Sequence, residues 1–294
     1  MFTGLSAFPL TPMDEVSIDE NAFCQLVSRL AQAKVRSIGV LGSTGSYAYL
    51  SRDERRRVIQ LAVESAQGTP VVASIGALRT KDVLTISEDA QKAGASGLLL
   101  APVSYQKLNE DEVFTHYQAV SQHSSIPICV YDNPTTTHFE FSDVLHGRIA
   151  ALPNIAAIKI PPVSNHLDEA KERVSRLRSH IPAHVTIGIS GDHAGATGLN
   201  AGCEAWYSVL GGLFPLPILA IINASQRGDT DEVNRLSTNL EPIWAFFRRY
   251  GSLRVVATIA ELRGLVKTPS LPLPIKSLEG EERQRLNACI ADLL

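Results

Sequence analysis

Short apolar runs recur along the chain, and between them apolar residues fall three and four positions apart. The runs GLSAFPLT (4–11), SIGVLGST (37–44), PVVASIG (70–76), GLLLAP (97–102), PICVYD (127–132), IAAIKIP (155–161), VTIGIS (185–190) and EAWYSV (204–209) predict strands. They are nearly continuous rather than alternating, as expected of parallel strands covered on both faces. In residues 19–33, Ala22, Phe23, Leu26, Val27 and Leu30 form one helical stripe. Ser51 followed by Glu54 predicts a capping box at the head of SRDERRRVIQLAVESA. Residues 81–93, 111–124, 142–152 and 165–179 read as further helices.

Eight strands alternating with helices build successive right-handed βαβ units. Either a closed barrel or an open doubly wound sheet would fit. The count of eight, over a length close to the ~250 residues usual for barrels, favours closure. No GxGxxG follows the first strand, which removes the main signal for a dinucleotide-binding sheet. The expected class is therefore α/β: a (β/α)₈ TIM barrel over residues 1–228 and a helical appendage over 229–294. Three helical segments are expected in the appendage, near 230–250, 252–265 and 280–293, with the Pro-rich TPSLPLP before the last.

Composition narrows the function classes. Of 294 residues, 45% are hydrophobic and 19% charged, enough for a sizeable core. The net charge of -3 comes without any block of like charge, which argues against nucleic acid or anionic membrane as partner. MFTGLSAFPLTP has no basic leader region, and LFPLPILAII is about half the length of a membrane span. Cys24, Cys129, Cys203 and Cys289 lack metal-ligand spacing and read as reduced core thiols. A cytoplasmic enzyme is expected.

Catalytic groups of such barrels sit at the C-terminal ends of the strands. That rule selects Ser43 and Thr44, Tyr131, Lys159, and Gly191 with Asp192. Side chains alternate along a strand, so Ile155, Ala157 and Lys159 share one face and Ala156, Ile158 and Ile160 the other. The bulky branched face suits helix packing, which aims Lys159 into the barrel near Tyr131 of the adjacent strand. Burying an amine disfavours its charged form, and a neutral amine attacks carbonyls to form Schiff bases. A tyrosine can relay protons, and the GSTGS turn offers hydroxyls and N–H groups for a carboxylate. Plainer readings fit the same residues. Lys159 could reach past the rim to water, Tyr131 could be a core aromatic, and GSTGS could be a simple turn or a phosphate cradle. SGDH (190–193) shows no partner cluster for a metal, and Trp244 with Phe246 and Phe247 suits packing of the appendage.

Taken together, GSTGS (42–46), YDNP (131–134), the lysine of AAIKIPP and SGD (190–192) resemble the dihydrodipicolinate synthase/N-acetylneuraminate lyase family, in its order and over nearly the whole chain. The resemblance implies a pyruvate-dependent class I aldolase type of lyase, with Lys159 as Schiff-base lysine and Tyr131 as proton-shuttling phenol. It implies Ser43 and Thr44 as the hydroxyl pair that binds the 2-oxo acid carboxylate and the Tyr131 phenol, with Ser43 a catalytic residue in the proton path, Gly191 beside the bound acid, and Tyr207 on the pocket floor. It also implies a homo-oligomer, a dimer or a homotetramer. Neither a cofactor nor a metal is expected.

Two departures bear on the substrate. Ser46 stands where the family's turn usually carries glutamate. Thr136 stands where the true synthases carry an arginine for the aldehyde partner's carboxylate, and a hydroxyl cannot imitate a bidentate guanidinium. The chain is therefore expected to be a divergent member, an aldolase or dehydratase on pyruvate or a related 2-oxo acid, and not the lysine-pathway synthase. Tyr105 is the candidate for the tyrosine that reaches a neighbouring subunit's site. Two rival readings stay open: a barrel that binds a 2-oxo acid without turnover, and a phosphate-binding barrel enzyme.

Overall fold

The computed structural model describes residues 1–291. Eight parallel strands close on themselves in chain order: β1 (Gly4–Ala7), β2 (Ser37–Val40), β3 (Val71–Ser74), β4 (Gly97–Leu100), β5 (Ile128–Tyr131), β6 (Ile155–Ile160), β7 (Thr186–Ile189) and β8 (Ala205–Ser208). The barrel is the one expected from the apolar runs. Its strands stop earlier than those runs, because the rim residues leave the ladder. Pro9 has no N–H to donate after β1, and Leu41 after β2 takes a left-handed φ of 58°.

The helices carry the stop and start signals read from the chain. Asp19 caps Glu20–Gln32 by accepting the Ala22 N–H, and both arms of the Ser51/Glu54 capping box close over Arg52–Ser65. Asn109 and Glu112 form a second such box over Glu110–His123. The segment expected as one helix over 230–250 is two, Thr230–Asn239 and Glu241–Tyr250. Pro242 has no N–H for the carbonyl one turn back, but it suits the first turn of a new helix. The next two helices are Ser252–Leu262 and Gly280–Ala291, and residues 292–294 of the expected appendage lie outside the described residues. Pro215–Gln226 and the short Gly195–Asn200 and Pro134–Thr137 are helices beyond those expected. The first is apolar nearly all round, so it offers no stripe to detect.

Two cores result. A large outer one joins the strands to the surrounding helices and takes in Trp244 and Phe247 of the appendage. A smaller one fills the barrel interior with Phe2, Phe8, Val72, Leu99, Cys129, Tyr131, Ala157 and Tyr207 among others. Between them a bulge at the start of β6 alters the expected parity. Ile128 pairs with Ile155 but Cys129 with Ala157, so one extra residue enters β6. Ile155 therefore packs in the outer core, and the inward face begins at Ala157. Of the cysteines expected in the core, Cys129 and Cys203 are buried, whereas Cys24 and Cys289 are partly exposed.

Candidate active site

Lys159 lies near the end of β6, in register with Tyr131 on β5 and Gly188 on β7. It is 5% exposed. Its Nζ stands 4.0 Å from the Tyr131 ring centroid, 4.2 Å from that of Phe8 and 5.4 Å from that of Tyr207. No carboxylate comes within ion-pair distance of Nζ among the described residues, so its polar surroundings are three aromatic faces.

Tyr131 is held from one side. Its hydroxyl accepts a hydrogen bond from Asn133 Nδ2 at 2.9 Å, and the same amide donates to Thr136 Oγ1 at 2.6 Å. Thr136 is exposed on Pro134–Thr137, so the rim is linked to the phenol through one side chain. Thr44 is buried and Ser43 exposed on the loop after β2, and neither hydroxyl is hydrogen-bonded to Tyr131. The turn itself demands glycine: a Cβ on Gly45 would stand 2.7 Å from Leu41 N. Tyr47, which follows this turn, is half-buried, and burial raises its phenol against the opposing pull of Arg55.

Gly191 follows β7 with φ 78°, and a Cβ there would stand 2.5 Å from Pro162. Next to it, buried Asp192 accepts from Trp206 Nε1 at 3.0 Å and from the Leu210 and Val209 N–H groups at 2.6 and 3.3 Å. Its carboxylate thus ties the end of β7 to the loop after β8. Tyr207 points inward from β8, with its hydroxyl 3.3 Å from Cys129 Sγ. Burial pushes the Cys129 thiol up to about 12 and the Tyr207 phenol well above its usual range. Tyr105 is 91% exposed and is not gathered with Lys159 in the single chain.

Behind β5 sits a second buried pair. Asp132 follows Tyr131, its N–H donates to the Lys159 carbonyl at 3.0 Å, and its Oδ2 stands 3.5 Å from His146 Nε2. Among the described residues its Oδ1 has no partner, and the His146 ring stacks on Phe141 at 4.8 Å. Burial raises Asp132 to about 7, opposed by Arg173 and aided by Glu140 and Asp143. Burial lowers His146 to about 3, with Arg173 adding to the effect and Asp143 opposing it.

The structure thus brings Lys159, Tyr131 and Tyr207 together. It adds Phe8 and Asn133, which the sequence reading does not single out. Strand parity puts Phe8 on the inward face with Gly4 and Ser6, but nothing in the chain says that its ring meets Lys159. Asn133 lies inside YDNP, but nothing in its spacing says that its amide bridges two hydroxyls.

Comparison with known proteins places these residues in a lineage. Residues 1–293 match the dihydrodipicolinate synthetase family. The 4-hydroxy-tetrahydrodipicolinate synthase of Phenylobacterium zucineum is 31% identical over 233 residues, covering 78% of this chain and 76% of its own. The protein of the same name from Rhodospirillum centenum is 31% identical over 246 residues, covering 83% and 82%. The crystal structure of dihydrodipicolinate synthase from Agrobacterium tumefaciens superposes with a TM-score of 0.96 at 43% identity, over 100% of this chain and 98% of that one.

Proposed function

The chain belongs to the dihydrodipicolinate synthetase family, and from that premise we propose that it is a Schiff-base-forming lyase, an aldolase or dehydratase acting on pyruvate or a related 2-oxo acid. The observation that carries the reading is a lone amine, Lys159, buried at the C-terminal rim of β6 with its Nζ 4.0 Å above the Tyr131 ring. The Nζ lone pair attacks C2 of the acid, and loss of water leaves an iminium. The iminium is the electron sink when C3 loses a proton or its bond to C4 breaks, and the resulting enamine supplies the electron pair from C3 when that bond forms. Tyr131, steadied by Asn133, moves the protons, and the GSTGS turn receives the carboxylate through Ser43, Thr44 and backbone N–H groups. Gly191 and Tyr207 bound the pocket.

The finer part of the proposal is that the partner is not the carboxylated aldehyde of the lysine-pathway synthase. In support, Thr136 has a hydroxyl already engaged by Asn133 and no guanidinium to offer. We place the barrel unit at residues 1–228 and the helical unit after it. A homo-oligomer, dimer or tetramer, accounts for Tyr105, Leu78 and Tyr49, large side chains left 91%, 66% and 48% exposed. No helix among the described residues is long and apolar enough to cross a membrane, and the four cysteines are unpaired, in keeping with a cytoplasmic location.

Incubation with pyruvate and borohydride, followed by peptide mass spectrometry, tests the reading. One reduced adduct on Lys159 is expected, and Lys159→Met abolishes it while leaving the circular dichroism spectrum intact. Absence of the adduct in the wild type, where a known family enzyme labels, refutes the proposal.

A further inference from the structure

Phe8 occupies a place made for it by two glycines. A Cβ on Gly39 of β2 would lie 2.3 Å from Phe8 Cζ, and one on Gly42 of the GSTGS turn 2.9 Å from Cδ1. Glycine inside a strand weakens it and calls for a packing reason, and here the reason is the ring. The Phe8 N–H donates to the Ser208 carbonyl at 2.9 Å, which fixes its backbone to β8. On its free side the ring meets Lys159 Nζ at 4.2 Å and the edge of Tyr207 at 6.1 Å and 70°. Tyr207 is seated alike, since a Cβ on Gly188 would lie 2.3 Å from its Cε2. Two rings on two glycine seats therefore close one side of the reactive amine, and neither can withdraw.

We propose that Phe8 is a specificity-determining residue that closes one face of C3 of the 2-oxo acid bound at Lys159, so that C3 accepts a single substituent and branched 2-oxo acids are turned away. The inference rests on the Schiff-base reading above. C2 of the acid is one bond from Nζ and C3 two bonds, so C3 is held among the rings of Tyr131, Phe8 and Tyr207, centred 4.0, 4.2 and 5.4 Å from Nζ. The apolar C3 end falls against the rings, because their negative faces repel a carboxylate and the turn's N–H groups attract it. On this proposal a single chain on C3 takes its course toward the rim, away from the Phe8 ring. A second one on the opposite face overlaps Phe8, which Gly39 and Gly42 hold from behind.

Borohydride trapping with pyruvate, 2-oxobutanoate and 3-methyl-2-oxobutanoate, read as the rate of adduct formation on Lys159, tests this. The wild type is expected to label with the first two and, by ~10–100-fold more slowly, with the branched acid, the range that one misplaced methyl commands. Phe8→Ala raises labelling by the branched acid about tenfold or more relative to pyruvate. Phe8→Leu, which keeps a core-filling side chain, is expected to move the ratio in the same direction if the alanine variant fails to fold. Equal labelling of the wild type by branched and linear acids overturns the inference, and so does an unchanged ratio in a folded Phe8 variant. No labelling by pyruvate at all instead overturns the Schiff-base reading beneath it.

Discussion

Replacing Asp132 by asparagine should change how the stability of this protein depends on pH. Asp132 is 3% exposed, one oxygen lacks any partner among the described residues, and burial holds its carboxyl near 7 in the folded state. In the unfolded chain an aspartate titrates at about 3.9. Between those values the folded protein keeps a proton that the unfolded chain has released. Stability from this group is therefore full below about pH 4 and is lost as pH rises through 7. The whole loss is about 4 kcal/mol, and about 3 kcal/mol of it falls between pH 5 and pH 8.5. The substituted asparagine cannot ionise, and its amide takes the place of the carboxyl that stands 3.5 Å from His146 Nε2 in the parent. Asp132→Asn should thus gain about 3 kcal/mol on the wild type between pH 5 and pH 8.5. Buried Trp206 and Trp244 report unfolding by fluorescence, so urea titrations at pH 5, 7 and 8.5 and one protein concentration give the comparison. His146, held near 3 by burial, destabilises both proteins alike as pH falls below its unfolded value, and that loss cancels in the difference. A difference between the two proteins that is flat across this range refutes the claim that Asp132 is folded with a raised pKa.

Three further outcomes follow from contacts elsewhere. Asn133→Ala removes the donor shared by Tyr131 and Thr136. It should lower the turnover of a 2-oxo acid substrate roughly tenfold with little change in the pyruvate concentration needed for half-saturation, because proton transfer is affected and not the amine. Thr136→Arg should give measurable binding of a carboxylated aldehyde, detected by calorimetry with pyruvate present, and no gain would place residue 136 outside the second-substrate site. Glu261 accepts from Ser270 Oγ at 2.8 Å, Ser277 Oγ at 3.1 Å and Arg283 Nη1 at 2.6 Å, with its own side chain fully buried. Glu261→Leu should cost about 3 kcal/mol in urea unfolding by stranding the Arg283 guanidinium, and a loss under about 1 kcal/mol would show that water replaces the carboxylate.

The barrel is legible in the chain because its information is local. Each parallel strand is a short apolar run, each helix has its own stripe and cap, and the βαβ hand follows from chirality. Where the information is not local, the sequence misleads. Nothing in IAAIKI marks the bulge that sends Ile155 outward, since the bulge is defined by its partner Ile128. The break at Leu240 is readable from Pro242, but the amphipathic pattern on either side masks it. Pro215–Gln226 escapes notice because PLPILAII is apolar at exposed and buried positions alike, so no polar face sets a period.

The same division runs through the site. Lys159 can be singled out because an ammonium among isoleucines contradicts its surroundings, and a contradiction is visible in one dimension. Phe8 contradicts nothing. It is an apolar residue after an apolar strand, and its meaning arises only when β1, β2 and β6 close and set its ring between Gly39 and Lys159. Residues that do chemistry in a barrel are thus the ones a sequence betrays. Residues that select the substrate work through volume, and volume is shared between a large side chain on one strand and a glycine on the next. Gly39 and Phe8 lie 31 positions apart, so the pair is complementary in space and silent in the chain. A substitution at either one should therefore be judged with its partner: Gly39→Ala alone drives a methyl into the Phe8 ring, whereas Gly39→Ala with Phe8→Leu keeps the volume nearly constant.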